Sequence, residues 1–235
     1  KILIASLTCL YSLRVLFQKK LSFWISILLA ISYAFCGYNL LMYQITPWMD
    51  AMYLFPLVIV GLKKVLEGEK PYLYLVSLTL SLIFSFYVTS MSLILILLLT
   101  FIYLVVFQEK KNWKKRIAAL GISTLLAIGM SLFIILPTGL QILESSRLQI
   151  SMSTVFNSKL GPILDKLSFF LPCSFLLACT LFLLFHWKDH KKFLKWYIPS
   201  LLLLGIPYII EPINKMIHFF SYAYFPNRYG YMIFF

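Results

Sequence analysis

Negative charge is scarce in this chain: eight Asp and Glu stand against 21 Lys and Arg, a formal net charge of +13. Charged residues of both signs make up only 12% of the sequence, while 61% is hydrophobic and the mean hydropathy is +0.89. A soluble domain cannot hide that much apolar surface, so a water-soluble globular protein is excluded. The four cysteines, Cys9, Cys36, Cys173 and Cys179, fall in apolar stretches at no metal-ligand spacing and read as small buried hydrophobes. No Cys-x-x-Cys, glycine-rich phosphate loop or Gly-x-Ser-x-Gly motif occurs. The chemistry, if any, carries no short signature of its own.

What the chain does have is patterned positive charge. Arg14/Lys19/Lys20, Lys63/Lys64/Lys70, Lys110/Lys111/Lys114/Lys115/Arg116 and Lys188/Lys191/Lys192/Lys195 punctuate long apolar runs. These clusters hold fifteen of the 21 basic residues, leaving Lys1, Arg147, Lys159, Lys166, Lys215 and Arg228. Basic loops stay on the cytoplasmic side of a membrane, so the clusters set the topology and exclude a nucleic-acid footprint. The acids then divide evenly: Glu67, Glu69, Glu109 and Asp189 inside, Asp50, Glu144, Asp165 and Glu211 outside.

The spacing predicts an all-α, polytopic transmembrane bundle of about eight spans plus the start of a ninth, with short interfacial helices in outer loops. Spans are expected over residues 2–18 and 21–40, then 51–66, broken at its entry by Pro56. Residues 72–107 form one apolar run of roughly 36 residues, about 54 Å if helical, too long for one crossing of a ~30 Å core. Lys70 and the 110–116 cluster both lie inside, so an even number of crossings must separate them, and a hairpin turn is placed near Ser85–Ser90. Further spans are expected over 117–136, ending at Pro137, over 168–187, and over 196–210, entered at Pro199. Between them, Leu160, Ile163, Leu164 and Leu167 recur at helical spacing opposite Asp165 and Lys166, an amphipathic helix along the outer interface. The whole of 1–235 reads as a single transmembrane domain. Its ends suggest an internal fragment of a longer protein, lacking an N-terminal helix with the first outer loop and a C-terminal part.

Two outer segments carry polar residues that lipid would penalise. In Thr46-Pro47-Trp48-Met49-Asp50, the aspartate either caps the helix that follows or stands in an outward-open cavity as base or cation ligand. In the segment from Glu211 to Tyr229, Arg228 either snorkels to headgroups or clamps a phosphate through paired N–H donors. Lys215, His218 and Tyr229 accompany it; Tyr222, Tyr224 and Tyr229 suit either sugar stacking or an interfacial belt, and a lone histidine is more often structural. The inner loops are too short for a nucleotide, and their charge suits the headgroups of membrane lipids.

At Gly37-Tyr38, Trp48-Met49-Asp50, Leu54-Phe55-Pro56-Leu57 and Ser85-Phe86-Tyr87, the chain resembles the bacterial YfhO family. The likeness is greatest at Ile213-Asn214-Lys215, His218-Phe219-Phe220-Ser221 and Asn227-Arg228-Tyr229. That family resembles the GT-C class of membrane glycosyltransferases, which implies a polyprenyl-phosphate sugar donor and a cell-envelope polymer acceptor, typically teichoic or lipoteichoic acid. It also implies work on the extracytoplasmic face of the cell membrane. The principal carboxylate of such enzymes usually lies in the first outer loop, so this fragment is expected to be inactive alone. Asp50 becomes an auxiliary carboxylate, positioning the acceptor or holding a divalent cation; Arg228 and Lys215 neutralise the departing phosphate; Trp48, His218 and Tyr229 bind substrate. The alternative is a flippase or exporter of lipid-linked saccharides without transferase chemistry, and a third reading is a membrane scaffold that recruits a partner.

Overall fold

The computed structural model describes residues 1–18, 20–42, 44–107, 113–144, 187–188, 190–219, 228 and 230–235. Among these the chain is all helix, with no strand. The helices are α1 (Ile2–Leu16), α2 (Phe23–Ala34), α3 (Gly37–Met42), α4 (Thr46–Glu67), α5 (Tyr72–Phe84), α6 (Phe86–Phe107), α7 (Trp113–Met130) and α8 (Leu132–Glu144). After the gap come α9 (Lys191–Ile209), α10 (Glu211–Ile217) and α11 (Tyr231–Phe234). They pack as two units: Lys1–Ser90 with Asn112–Leu140 and Phe235, and Met91–Lys111 with Gln141–Phe234.

In the first unit, α1 and α4 run parallel and in contact, with α2 returning along α1. At one end the Lys1 ammonium meets Thr46 and Asp50 at the start of α4. At the other end Lys63 of α4 donates to the Leu16 carbonyl at 3.0 Å, and Arg14 donates to the Leu21 carbonyl at 3.3 Å. Two of the four basic clusters are thus gathered at the end opposite Asp50. Gly68, at φ +88, reverses the chain after α4, and α5 packs back against α4 where Gly61 meets Tyr74. A Cβ at Gly61 would fall 2.5 Å from the Tyr74 Cα, so only glycine lets these backbones approach. Tyr74 then hydrogen-bonds Thr124 across to α7 at 2.9 Å, deep in the unit. Ser131 donates to the Thr79 carbonyl at 3.4 Å, which sets α7 parallel to α5.

Several expected boundaries shift. Residues 46–50 are not a loop: Pro47 sits in the first turn of α4, the N-cap is Ile45, and Asp50 lies inside the helix rather than capping it. Proline is pre-organised for a helix start, which is why the polar stretch folds as helix. Pro56 does not break the entry of this span, because α4 runs through it unbroken. A proline there deprives the Met52 carbonyl of its N–H four residues on, and the Tyr33 hydroxyl of α2 fills the vacancy at 2.9 Å. The hairpin expected near Ser85–Ser90 is not seen: the helix breaks at Ser85 alone, with the Ser85 N–H on the Ser81 carbonyl and the Thr89 N–H on the Ser85 carbonyl, both at 2.9 Å. Thr89 Oγ1 also reaches the Ser81 carbonyl at 2.9 Å and braces the break. The helix expected to end at Pro137 instead bends by 71° at Ser131, and Pro137 lies within α8. Pro199 does not open a span either, for α9 already begins at Lys191.

Among the described residues one helix, Phe86–Phe107, is long and apolar enough to cross a membrane, or up to three if each bent pair counts as a span. Ile2–Leu16, Phe23–Asn39 and Tyr72–Phe84 are shorter apolar helices. The outer faces of α1, α2, α6 and α7 expose Leu3, Leu28, Phe101, Val105 and Leu125, each more than 60% accessible. Such a surface is stable in lipid and not in water. The amphipathic helix over Leu160–Leu167, the span over 168–187 apart from its last residue, and Cys173 and Cys179 lie outside the described residues.

In the second unit the C-terminal end of α6 meets the lysine-rich start of α9. The Phe107 and Trp196 rings are 6.4 Å apart, and Lys192 lies 5.6 Å from the Phe107 centroid. Near the other end of α6, Ser92 and the buried Tyr231 of α11 share a hydroxyl–hydroxyl hydrogen bond. The chain leaves α9 at the end remote from its lysines, turns by 95° and forms α10.

Candidate functional site

The expected site residues occur in both units. In the first, Asp50 faces one turn of α4 and is mostly covered, its side chain 14% accessible. Its two oxygens receive the Lys1 ammonium at 2.7 and 2.9 Å, and the same ammonium caps the Thr46 carbonyl at 2.9 Å. A carboxylate at the end of an apolar helix is costly unless paired, and Lys1 is the pair. Tyr53, three residues on, sits beside the same carboxylate, while Trp48 is half-buried in the first turn. Among the described residues no group of three His, Cys, Asp or Glu side chains could hold a metal ion. With both oxygens of Asp50 on an ammonium, the residues present do not fit a divalent cation.

The second unit holds the richer constellation. Ile210 is extended, Pro212 occupies the first turn of α10, and Glu211, Asn214 and His218 follow at helical spacing. Asn214 and His218 are fully buried at 0% exposure, whereas Lys215, on the neighbouring face, is half-exposed. His218 Nδ1 lies 2.8 Å from the Asn214 carbonyl. A carbonyl only accepts, so the neutral ring carries its proton on Nδ1 and keeps a lone pair on Nε2. Burial drives the imidazole down to about 4, and the nearby Arg228 guanidinium pushes the same way; the Asn214 hydrogen bond and the Glu211 charge oppose them. His218 is therefore uncharged at neutral pH, and the positive charge of this segment comes from Arg228 and Lys215. Phe219, directly after His218, adopts φ +55, a left-handed conformation that costs a non-glycine residue about 1–2 kcal/mol.

The sequence model of the bacterial membrane protein YfhO family matches residues 1–235. The chain belongs to that family. No curated protein and no solved structure matches it.

For this YfhO-family membrane protein the ordered motifs now have addresses. Trp48 and Asp50 lie in the first unit; Lys215, His218 and Arg228 lie in the second. Tyr222, Tyr224 and Tyr229 fall outside the described residues. A shallow pocket at the α4–α5 turn is lined by Lys64, Glu69, Lys70, Tyr72 and Leu73, none of them a candidate site residue. Sequence reasoning missed Asn214 and Glu211 as parts of the His218 cluster. Their i, i+3, i+7 spacing was the signal for one helix face. It also missed Lys1 as the partner of Asp50, for which a separation of 49 residues leaves no local signal.

Proposed function

We propose that this YfhO-family protein is a membrane glycosyltransferase. It transfers a sugar from a polyprenyl-phosphate carrier to a hydroxyl of a cell-envelope polymer, of the teichoic or lipoteichoic acid kind, on the extracytoplasmic face of a multi-pass bundle. The acceptor oxygen bonds to the anomeric carbon as the bond from that carbon to the phosphate oxygen breaks. The lipid phosphate departs with the electron pair, the acceptor proton passes to a carboxylate base, and the anomeric centre inverts.

One observation carries the reading: Arg228 lies beside a buried, neutral histidine at the end of α9 remote from its lysine cluster. A guanidinium in a partly desolvated segment stabilises a departing phosphate far better than one in water. Lys215 on the last turn of α10 adds a second cation. Asp50 serves as the auxiliary carboxylate, positioning the acceptor with its charge balanced by Lys1. No step runs through a metal. Membrane lipids and the two substrates suffice as partners, and nucleic acid has no place in the scheme.

The test is transfer of label from a polyprenyl-phosphate sugar to teichoic acid by the purified intact protein. Arg228→Ala is expected to lower transfer by about a hundredfold, with Arg228→Lys retaining part of it, and Asp50→Asn to lower it by about tenfold. Unchanged transfer in both Arg228→Ala and Asp50→Asn would overturn these roles. A second reading, a flippase of lipid-linked saccharides, draws on the 71° bend at Ser131 and the 95° bend after Pro207, since transporters place substrates at interrupted helices. Label that crosses a vesicle bilayer without being transferred would establish that one.

A further inference from the structure

Asn214 differs from every other described polar side chain. It is fully buried at 0% exposure, and both its Oδ1 and its Nδ2 lack a hydrogen-bond partner. The other described buried side chains with an unmatched atom leave one each; Asn214 leaves two, a donor and an acceptor. A buried amide with neither end bonded costs free energy that a leucine of similar volume would not. Its surroundings point to the reason. Asn214 shares a helix face with His218, whose ring is tied to the Asn214 carbonyl and feels the charges of Arg228 and Glu211.

We propose that Asn214 reads the sugar of the lipid-linked donor, its Nδ2 donating to one ring hydroxyl and its Oδ1 accepting from the next. The proposal rests on the glycosyltransferase reading above. A phosphate cannot be the intended occupant of this carboxamide. Its oxygens only accept, so Oδ1 would stay unmatched, whereas vicinal hydroxyls both donate and accept. The cations suited to phosphate, Arg228 and Lys215, are separate groups on the same segment. Access comes from the hinge at Ile210. That residue is extended at φ −101, ψ 101, and is flanked by Pro207 and Pro212, neither with an N–H to continue the helix. Swinging α10 about this joint uncovers the Asn214 face.

The experiment measures dissociation constants of the purified intact protein in nanodiscs. The probes are a short-chain polyprenyl phosphate and the same lipid phosphate bearing glucose, galactose or N-acetylglucosamine. Wild type is expected to bind at least one glycosylated lipid tenfold or more tighter than the bare one. Asn214→Leu should bind every probe with the bare-lipid affinity, while its ligand-free melting temperature equals or exceeds that of wild type. Asn214→Ser should lose the preference as well, with the fold retained. A preference that survives in Asn214→Leu overturns the sugar assignment and leaves the transferase reading standing. So does Asn214→Leu melting several degrees lower with bare-lipid affinity lost, for that is a structural role, or a wild type that binds bare and glycosylated lipids alike. A wild type that binds none of the probes overturns the transferase reading, and this proposal with it.

Discussion

His218 joins the stability of the second unit to pH. Its folded-state value is about 4 against an ordinary 6.5, so between those values the unfolded chain binds the extra proton. The stabilisation is therefore complete above pH 6.5 and is lost as pH falls from 6.5 towards 4, amounting to about 3 kcal/mol over that window. Thermal melting from pH 7 to pH 4 should show this fall in wild type, and His218→Gln should remove most of it. An equal fall in both proteins would place the titration elsewhere. Asp50 teaches the opposite lesson about single residues. Its place at the lip of an apolar run was legible, as was the penalty for facing lipid; its pairing with a lysine was not. Lys1 is 49 positions away, and only folding brings the two together.

Helices in this chain are braced by side chains that donate to a neighbour's backbone carbonyls. The carbonyl stranded by Pro56 accepts a hydrogen bond from the Tyr33 hydroxyl. This makes a kink expected from proline alone into a continuous helix of 22 residues. Tyr33→Phe should then destabilise the protein by about 1–3 kcal/mol, because a buried carbonyl is left unmatched. Restoring the N–H with Pro56→Ala in the same protein should recover most of the loss. If the double variant is no more stable than Tyr33→Phe, the hydroxyl supports something other than that carbonyl. Element existence was readable here from apolar runs bounded by lysines. Element ends were not, since Pro56, Pro137 and Pro199 all read as breaks and all lie within helices. The actual bend near Pro137 comes six residues earlier, at Ser131, and a serine in an apolar helix gives no such warning.

At the scale of the molecule, the lysine pattern foretold which ends lie together within each unit, and the contacts agree. Leu16 meets Lys63 at one end of the first unit, Lys1 meets Asp50 at the other, and Phe107 meets Lys192 in the second. Charge placement is legible because a bilayer sorts it strongly. The order in which helices touch was less so, since apolar faces of similar composition fit many neighbours. With Cys9, Cys36, Cys173 and Cys179 replaced, single cysteines at positions 50 and 228 should react with an impermeant maleimide on intact cells, and those at 20, 69 and 188 only after permeabilisation. Position 50 or 228 protected until lysis would remove the extracytoplasmic site. The brevity of α5 has a consequence of its own. Thirteen residues rise about 20 Å, roughly 10 Å less than the apolar thickness of a bilayer. Were α5 to cross alone, the leaflet around the hydroxyls of Ser85 and Thr89 would have to thin by about that difference.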